Sequence, residues 1–177
     1  MQDINRKKYK GYIIYLHNFA KFDEYLLLKY LTIIGDCNSI IHKGRIISCK
    51  FVLFSSKYQV TFMNSLLMLP SSLRKLCVSF GSIVIEGKSI FPFKLNDINY
   101  NGVIPNYSLF DNTSQLEYEN YKENFKNKVW DFKEAAIKYC ELDCLTLYQI
   151  ILKFSQLIWN HFRIQITKYP TLFSLAF

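Results

Sequence analysis

Two aspartates far apart in a 177-residue chain carry the chemistry this sequence offers, and a tyrosine travels with the second of them. Asp143 lies in a stripe that runs Phe132, Ala136, Tyr139, Asp143, Leu147, Ile150, Phe154, Leu157. The steps are threes and fours, so these side chains line one face of a helix. Every other member is apolar or aromatic. A lone carboxylate on a buried face is costly and requires a proton, a partner or a metal ion. At the edge of that face it requires none of these. Asp23 falls in the first turn of an earlier helix, where an acidic residue suits the helix dipole without any function. Aimed instead into a crevice at a strand's end, it would be a second carboxylate for the same site.

Paired carboxylates do a specific job. Metal-dependent phosphodiester cleavage fixes them around two cations about 4 Å apart, which clamp the attacking and leaving oxygens. Hard ions such as Mg2+ take oxygen ligands and retain waters. A tyrosine hydroxyl one turn from a ligand, as Tyr139 is from Asp143, can orient the attacking water. An amide at a strand end, as Asn18 is, can hold a nucleotide. Two spacings therefore stand out: N-x-x-x-F-D at Asn18, Phe22 and Asp23, and Y-x-x-x-D at Tyr139 and Asp143.

Several elements must position these residues. "YIIYL" from Tyr12 is a short apolar, β-prone run and predicts a buried strand, which His17 and Asn18 break. From Phe22 the spacing turns helical, with Phe22, Leu26, Leu27, Tyr30, Leu31 and Ile34 on one face. "RIISCKFVLF" and "YQVTFMNS" predict an antiparallel pair of strands across a Ser-Ser-Lys turn. "PSSLRKLCVSFG" reads as a compact helix. Ser71 or Ser72 caps it, Leu73, Leu76, Cys77 and Phe80 form its apolar face, and Gly81 ends it. Residues 82–110 are mostly irregular, and loops of that length are often functional. "DNTSQLEYENYKENFKNK" predicts an exposed polar helix. Asp131 and Glu134 then form a capping box for a long helix that reaches about His161.

Composition narrows the class. Half the residues are hydrophobic and 17% aromatic, which is globular, and 177 residues make most simply one domain. The net charge of +8 favours polyanionic partners, nucleic acid first. The five cysteines, Cys37, Cys49, Cys77, Cys140 and Cys144, contain no CxxC pair. They read as reduced, mostly buried thiols rather than a zinc site. The N-terminus is polar and basic, unlike a secretory signal, and no run reaches the roughly 20 apolar residues that span a bilayer.

The two spacings resemble the second and third exonuclease motifs of family B DNA polymerases. "HNFAKFDEYLLLKYL", "LPSSLRKL", "FPFKLNDINYNGVIPNY", "YCELDCLTLYQIIL" and "KYPTLFSLAF" are similar to the protein-primed branch found in fungal and plant mitochondrial linear plasmids. The resemblance spans about Tyr12 to Phe177, in five ordered segments. It implies a proofreading 3′–5′ exonuclease region over 1–165, with the start of the polymerase portion at 166–177. The implied fold is α/β and ribonuclease-H-like, a mixed sheet flanked by helices. By the resemblance Asp23 and Asp143 are metal-site carboxylates for Mg2+ or Mn2+, and Tyr139 orients the water. Asn18 and Phe22 contact the single-stranded primer end, and His17 assists. Ser72, Leu73 and Leu76 match the DNA-contacting motif S-L-x-x-h, and Lys94 is matched loosely to a catalytic-loop lysine.

The chain also departs from the pattern. The first exonuclease motif, D-x-E, belongs upstream of Asn18, but Asp3 is followed two residues on by Asn5. Asn64 stands where relatives often carry Asp. Two of four expected carboxylates are thus absent with their strands. The resulting expectation is a truncated exonuclease fold with its first strands missing and little or no nuclease or polymerase activity in the chain as given. Its partners would be single-stranded DNA, a terminal protein or the remaining polymerase chain, in a mitochondrial replicon. The alternative is a non-catalytic single-strand-binding or assembly module complemented by another chain.

Overall fold

The computed structural model describes residues 7–18, 22–81, 90–126 and 128–176, and for residues 22–26 the backbone alone. The chain divides into two compact units, Met1–Leu76 with Ile151–Phe177, and Cys77–Ile150.

The first unit is built on a mixed four-stranded sheet in the order β1-β4-β3-β2. Strand β1 (Ile13–Leu16) runs parallel to β4 (Gln59–Asn64), with Leu16 opposite Asn64. Strands β2 (Gly35–His42), β3 (Arg45–Leu53) and β4 are antiparallel neighbours. Helix α1 (Phe22–Ile34) packs on β2 and β3. Leu31 of α1 joins Ile46, Cys49, Phe51, Val60 and Phe62 of the sheet in one buried cluster, with Leu27, Leu28 and Ile34 of the same helix packed against it. The buried face of α1 is therefore rotated from the expected one: Leu28 faces the core and Tyr30 is 53% exposed. The side chains of Phe22 and Leu26 lie outside the described residues.

Strand β2 is not visible in the sequence pattern. "GDCNSIIH" lacks clean alternation, because β2 is an edge strand, mostly exposed, and irregular between Ile40 and Ile41. What defines it is the turn that follows. Lys43 and Gly44 both take positive φ, 50° and 71°, between paired His42 and Arg45. That is the backbone of a tight two-residue hairpin. Cys37 and Cys49 interact between β2 and β3, and burial together with Cys49 pushes the Cys37 thiol up to about 11.

The second unit is an aromatic assembly. Helix α2 (Leu73–Phe80) leads into it, with Leu76 and Cys77 buried. Within it, β5 (Asn101–Gly102) pairs with β6 (Trp130–Asp131). Helix α3 (Gln115–Glu123) opens on a full capping box between Ser114 and Glu117. Trp130 is fully buried and donates its indole N–H to Tyr121 at 2.8 Å. Asp131 caps the long helix α4 (Phe132–Phe162), accepting from the Glu134 N–H at 2.9 Å. The expected stripe on α4 holds through Ile150 and Phe154, which are buried, but its last member shifts. Leu157 is 47% exposed and Ile158 is buried in its place. Counted from buried Phe154, four residues bring Ile158 to within about 40° of the same face, whereas Leu157, three residues on, falls about 60° to the other side. A short helix, α5 (Leu172–Ala176), ends the chain. Of the cysteines, Cys49 and Cys77 are buried, Cys37 is half-buried, and Cys140 and Cys144 are exposed. The expectation of mostly buried thiols fails at these last two, which project from α4 away from its packed face.

No residue separates α1 from β2, and Gly35 makes that junction possible. A Cβ there would meet the Val52 carbonyl oxygen and come within 2.6 Å of the Phe51 ring. Replacing Gly35 with Ala should cost about 1–3 kcal/mol of stability by overpacking, read as a lower midpoint in urea with unchanged slope.

Candidate functional site

Each unit carries one cluster of the residues singled out by sequence. In the first, the parallel strands β1 and β4 end together, and the chain leaves the sheet at the same end from both. The carboxyl ends of parallel strands are where open α/β sheets bind ligands. His17 follows β1 at once. Its Nε2 donates to the Ser71 carbonyl oxygen at 2.9 Å, and its Nδ1 lies 3.1 Å from the Ser65 hydroxyl. Ser65 is itself 3.2 Å from the Leu16 carbonyl. A carbonyl only accepts, so Nε2 carries the hydrogen. The ring is thereby a clip from the end of β1 to the segment after β4. Asn18 then takes a left-handed backbone, φ 61°, which asparagine tolerates better than most residues.

Asn64 ends β4. Its Oδ1 accepts from the Leu66 N–H at 3.1 Å and caps the single turn Ser65–Leu67. Its Nδ2 has no hydrogen-bond partner among the described residues, although the residue is only 1% exposed. On β1, the Tyr15 hydroxyl is likewise buried without a partner among the described residues, and burial pushes its phenol up to about 12. Ser72 has a different setting. It is exposed and caps α2, with its hydroxyl 3.4 Å from the Lys75 N–H, while Leu73 is half-buried.

Sequence reasoning missed Ser65. The signal was present, because S-L-x-x-h is spelled twice: once at Ser65, Leu66 and Leu69, and again at Ser72, Leu73 and Leu76. The hydroxyl of the first of the two serines meets the His17 ring. Asp23 belongs to the first turn of α1, but its side chain, like that of Phe22, lies outside the described residues.

The second cluster is in the unit formed by residues 77–150. Tyr139 and Asp143 project from α4 one turn apart, as the spacing requires, and the Tyr139 hydroxyl donates to the Asp143 carboxylate. Burial, then the charge of Asp143 and this hydrogen bond, hold the Tyr139 phenol far above the usual range. The ring is boxed by Phe91, with centroids 5.6 Å apart, and by Phe93, 5.5 Å away and nearly perpendicular at 89°. Phe91 also meets Phe132 at 5.3 Å. Lys94 is committed to Asp111 at 2.6 Å, and its backbone N–H donates to the Leu109 carbonyl. An open groove of about 660 Å³ lies along another face of α4, lined by Ala136, Ile137, Cys140, Glu141, Cys144 and Leu145. Neither Tyr139 nor Asp143 lines it.

Among the described residues, no group of three or more His, Cys, Asp or Glu side chains is gathered closely enough to hold a metal ion. Asp143 alone offers fewer oxygens than a hard cation takes from protein and substrate.

Comparison with known proteins bears on the same residues. The family described as DNA polymerase type B, organellar and viral, matches residues 3–177. This chain belongs to that family. A probable DNA polymerase of Neurospora intermedia is 39% identical over 99% of the chain, which covers 19% of that protein. One from Ascobolus immersus is 35% identical over 94% of the chain, covering 15% of it. One from Podospora anserina is 29% identical over 80%, covering 12%. The chain thus spans a fifth or less of these probable DNA polymerases. No solved structure matches it.

The Tyr139 phenol favours its neutral form in the fold. Its contribution to stability is complete below the ordinary phenol value of about 10 and drains away as pH rises past it. Urea unfolding at increasing alkaline pH should therefore show the unaltered chain losing stability relative to Tyr139→Phe once pH exceeds about 10. Equal losses in the two proteins would contradict the raised Tyr139 phenol, and with it the burial and the Asp143 contact that cause it.

Proposed function

We propose that this chain is the 3′–5′ exonuclease region of a protein-primed type B DNA polymerase, on a ribonuclease-H-like sheet, and that it holds the single-stranded end of a primer. The observation that carries the reading is the Tyr139–Asp143 hydrogen bond. It puts a phenol against a carboxylate on the long helix, at the spacing that the family's third exonuclease motif uses. Asp143 is the carboxylate that would ligate Mg2+ or Mn2+, Asp23 its counterpart on α1, and Tyr139 the group that would orient water. The metal supplies the charge that stabilises the cleavage transition state. One described carboxylate does not make that site, so no chemical step is assigned to it.

Asn18 and Phe22 are proposed as contacts for the primer strand. Ser72 and Leu73 are proposed as the serine and leucine of the S-L-x-x-h contact, because Ser72 is exposed, whereas Ser65 is fully buried and its hydroxyl is held by Leu16 and His17. Both ring nitrogens of His17 are engaged within the chain, so His17 acts as the clip that fixes Asn18. Lys94, paired with Asp111, braces its loop. The +8 charge suits a strand of phosphates. The proposed setting is an organelle, in keeping with a family that is organellar and viral, and the proposed partner is the rest of the polymerase or a terminal protein.

A second reading, assembly with another chain, draws on one feature. Ile137, Leu145, Tyr148 and Leu152 are all exposed along one stripe of α4. A protein that self-associates or pairs but binds no nucleic acid would favour it.

The test is fluorescence anisotropy of a labelled single-stranded oligonucleotide without metal. Binding should weaken with salt by about 0.7 log units per log unit of salt for each phosphate contact. Ser72→Ala should weaken it several-fold and cost roughly 1 kcal/mol of stability through the lost helix cap. Ser65→Ala should lower stability by leaving the His17 ring without its hydroxyl partner. With Mg2+ or Mn2+ added, the strand should be shortened little or not at all. Robust shortening abolished by Asp143→Ala would overturn the expected inactivity. No binding at any salt would overturn the reading.

A further inference from the structure

We infer that Phe93 is the platform on which the terminal base of the single strand stacks, a role that rests on the exonuclease reading of Tyr139 and Asp143. Phe93 is 57% exposed, yet it is held rigidly rather than left loose. Pro92, just before it, is fully buried. The Phe93 N–H donates to the Phe91 carbonyl at 3.0 Å, and the Leu95 N–H to that of Pro92 at 2.9 Å. Lys94 ties the same turn to Leu109 through its backbone and to Asp111 through its side chain. This tight turn drives a proline inward and holds a large aromatic ring outward.

The ring lies edge to face with Tyr139, whose hydroxyl is bonded to Asp143. An exposed apolar ring is therefore anchored one contact away from the carboxylate that the cleavage reading needs. Stacking on an aromatic face is how proteins hold single-stranded bases without reading their sequence. The cation next to it in sequence, Lys94, is paired with Asp111, so the contact Phe93 offers is stacking and not phosphate attraction. Its contribution to binding is then independent of salt, in contrast to that of the basic surface.

The experiment compares two single-stranded oligonucleotides, one intact and one abasic at its 3′ end, bound without metal by the 177-residue chain and its variants. The unaltered chain binds the intact strand more tightly than the abasic one. Phe93→Ala weakens binding of the intact strand by about tenfold, by the same factor at low and high salt, and no longer distinguishes the two strands. Phe93→Trp keeps the affinity, and its fluorescence is quenched by the intact strand and not by the abasic one. Unchanged circular dichroism confirms that the variants fold. Phe93→Ala matching the unaltered chain on both strands, with no quenching in Phe93→Trp, overturns the stacking role alone. Failure of the unaltered chain to bind any single strand overturns the exonuclease reading and the stacking role together.

Discussion

Parallel pairing of β1 with β4 is the constraint on which the strand-end cluster depends. Leu16 sits opposite Asn64, so the residues just past each strand, His17 and Ser65, are delivered side by side from positions 48 apart in the chain. An antiparallel pair would have sent them to opposite ends of the sheet. The hydrogen bonds of His17 to Ser65 and Ser71 then fix a corner that backbone pairing alone would leave open. The left-handed Asn18 is the first residue beyond that corner.

The second cluster needs no sheet. One turn of helix places Tyr139 over Asp143, and the aromatic rings around it exclude enough water to keep the phenol neutral. The two clusters use opposite means. One gathers distant residues through strand register, and the other keeps neighbours together and insulates them. Both satisfy most of their polar groups internally. The exceptions, the Asn64 amide and the Tyr15 hydroxyl, are on adjacent strands of the first unit.

Much of this was legible in the sequence, and the reasons differ by element. The long helix and its cap were visible because Asp131, Glu134 and a sustained 3.6-residue period point the same way. The pair β3 and β4 was visible because both are buried strands bounded by a serine-rich turn. Strand β2 was hidden, since an exposed edge strand has no burial to imprint a pattern on it. Tyr30 was misplaced for a related reason. An aromatic ring counts as apolar in a periodicity, but its position on α1 leaves it in water. The choice between Ser65 and Ser72 could not be made from spacing, because the same five-residue pattern occurs at both. Only the strand register separates a serine beside His17 from one that caps a helix.

The direct splice of α1 onto β2 reaches further than local packing. With no loop between them and Gly35 wedged against Val52 and Phe51, the helix has no joint about which to swing. Its opposite end, about 18 Å away by helical rise, is where Asp23 begins the first turn. The direction of the helix axis is thus dictated from the far edge of the sheet, where a single hydrogen atom in place of a methyl group sets the angle of the whole rod.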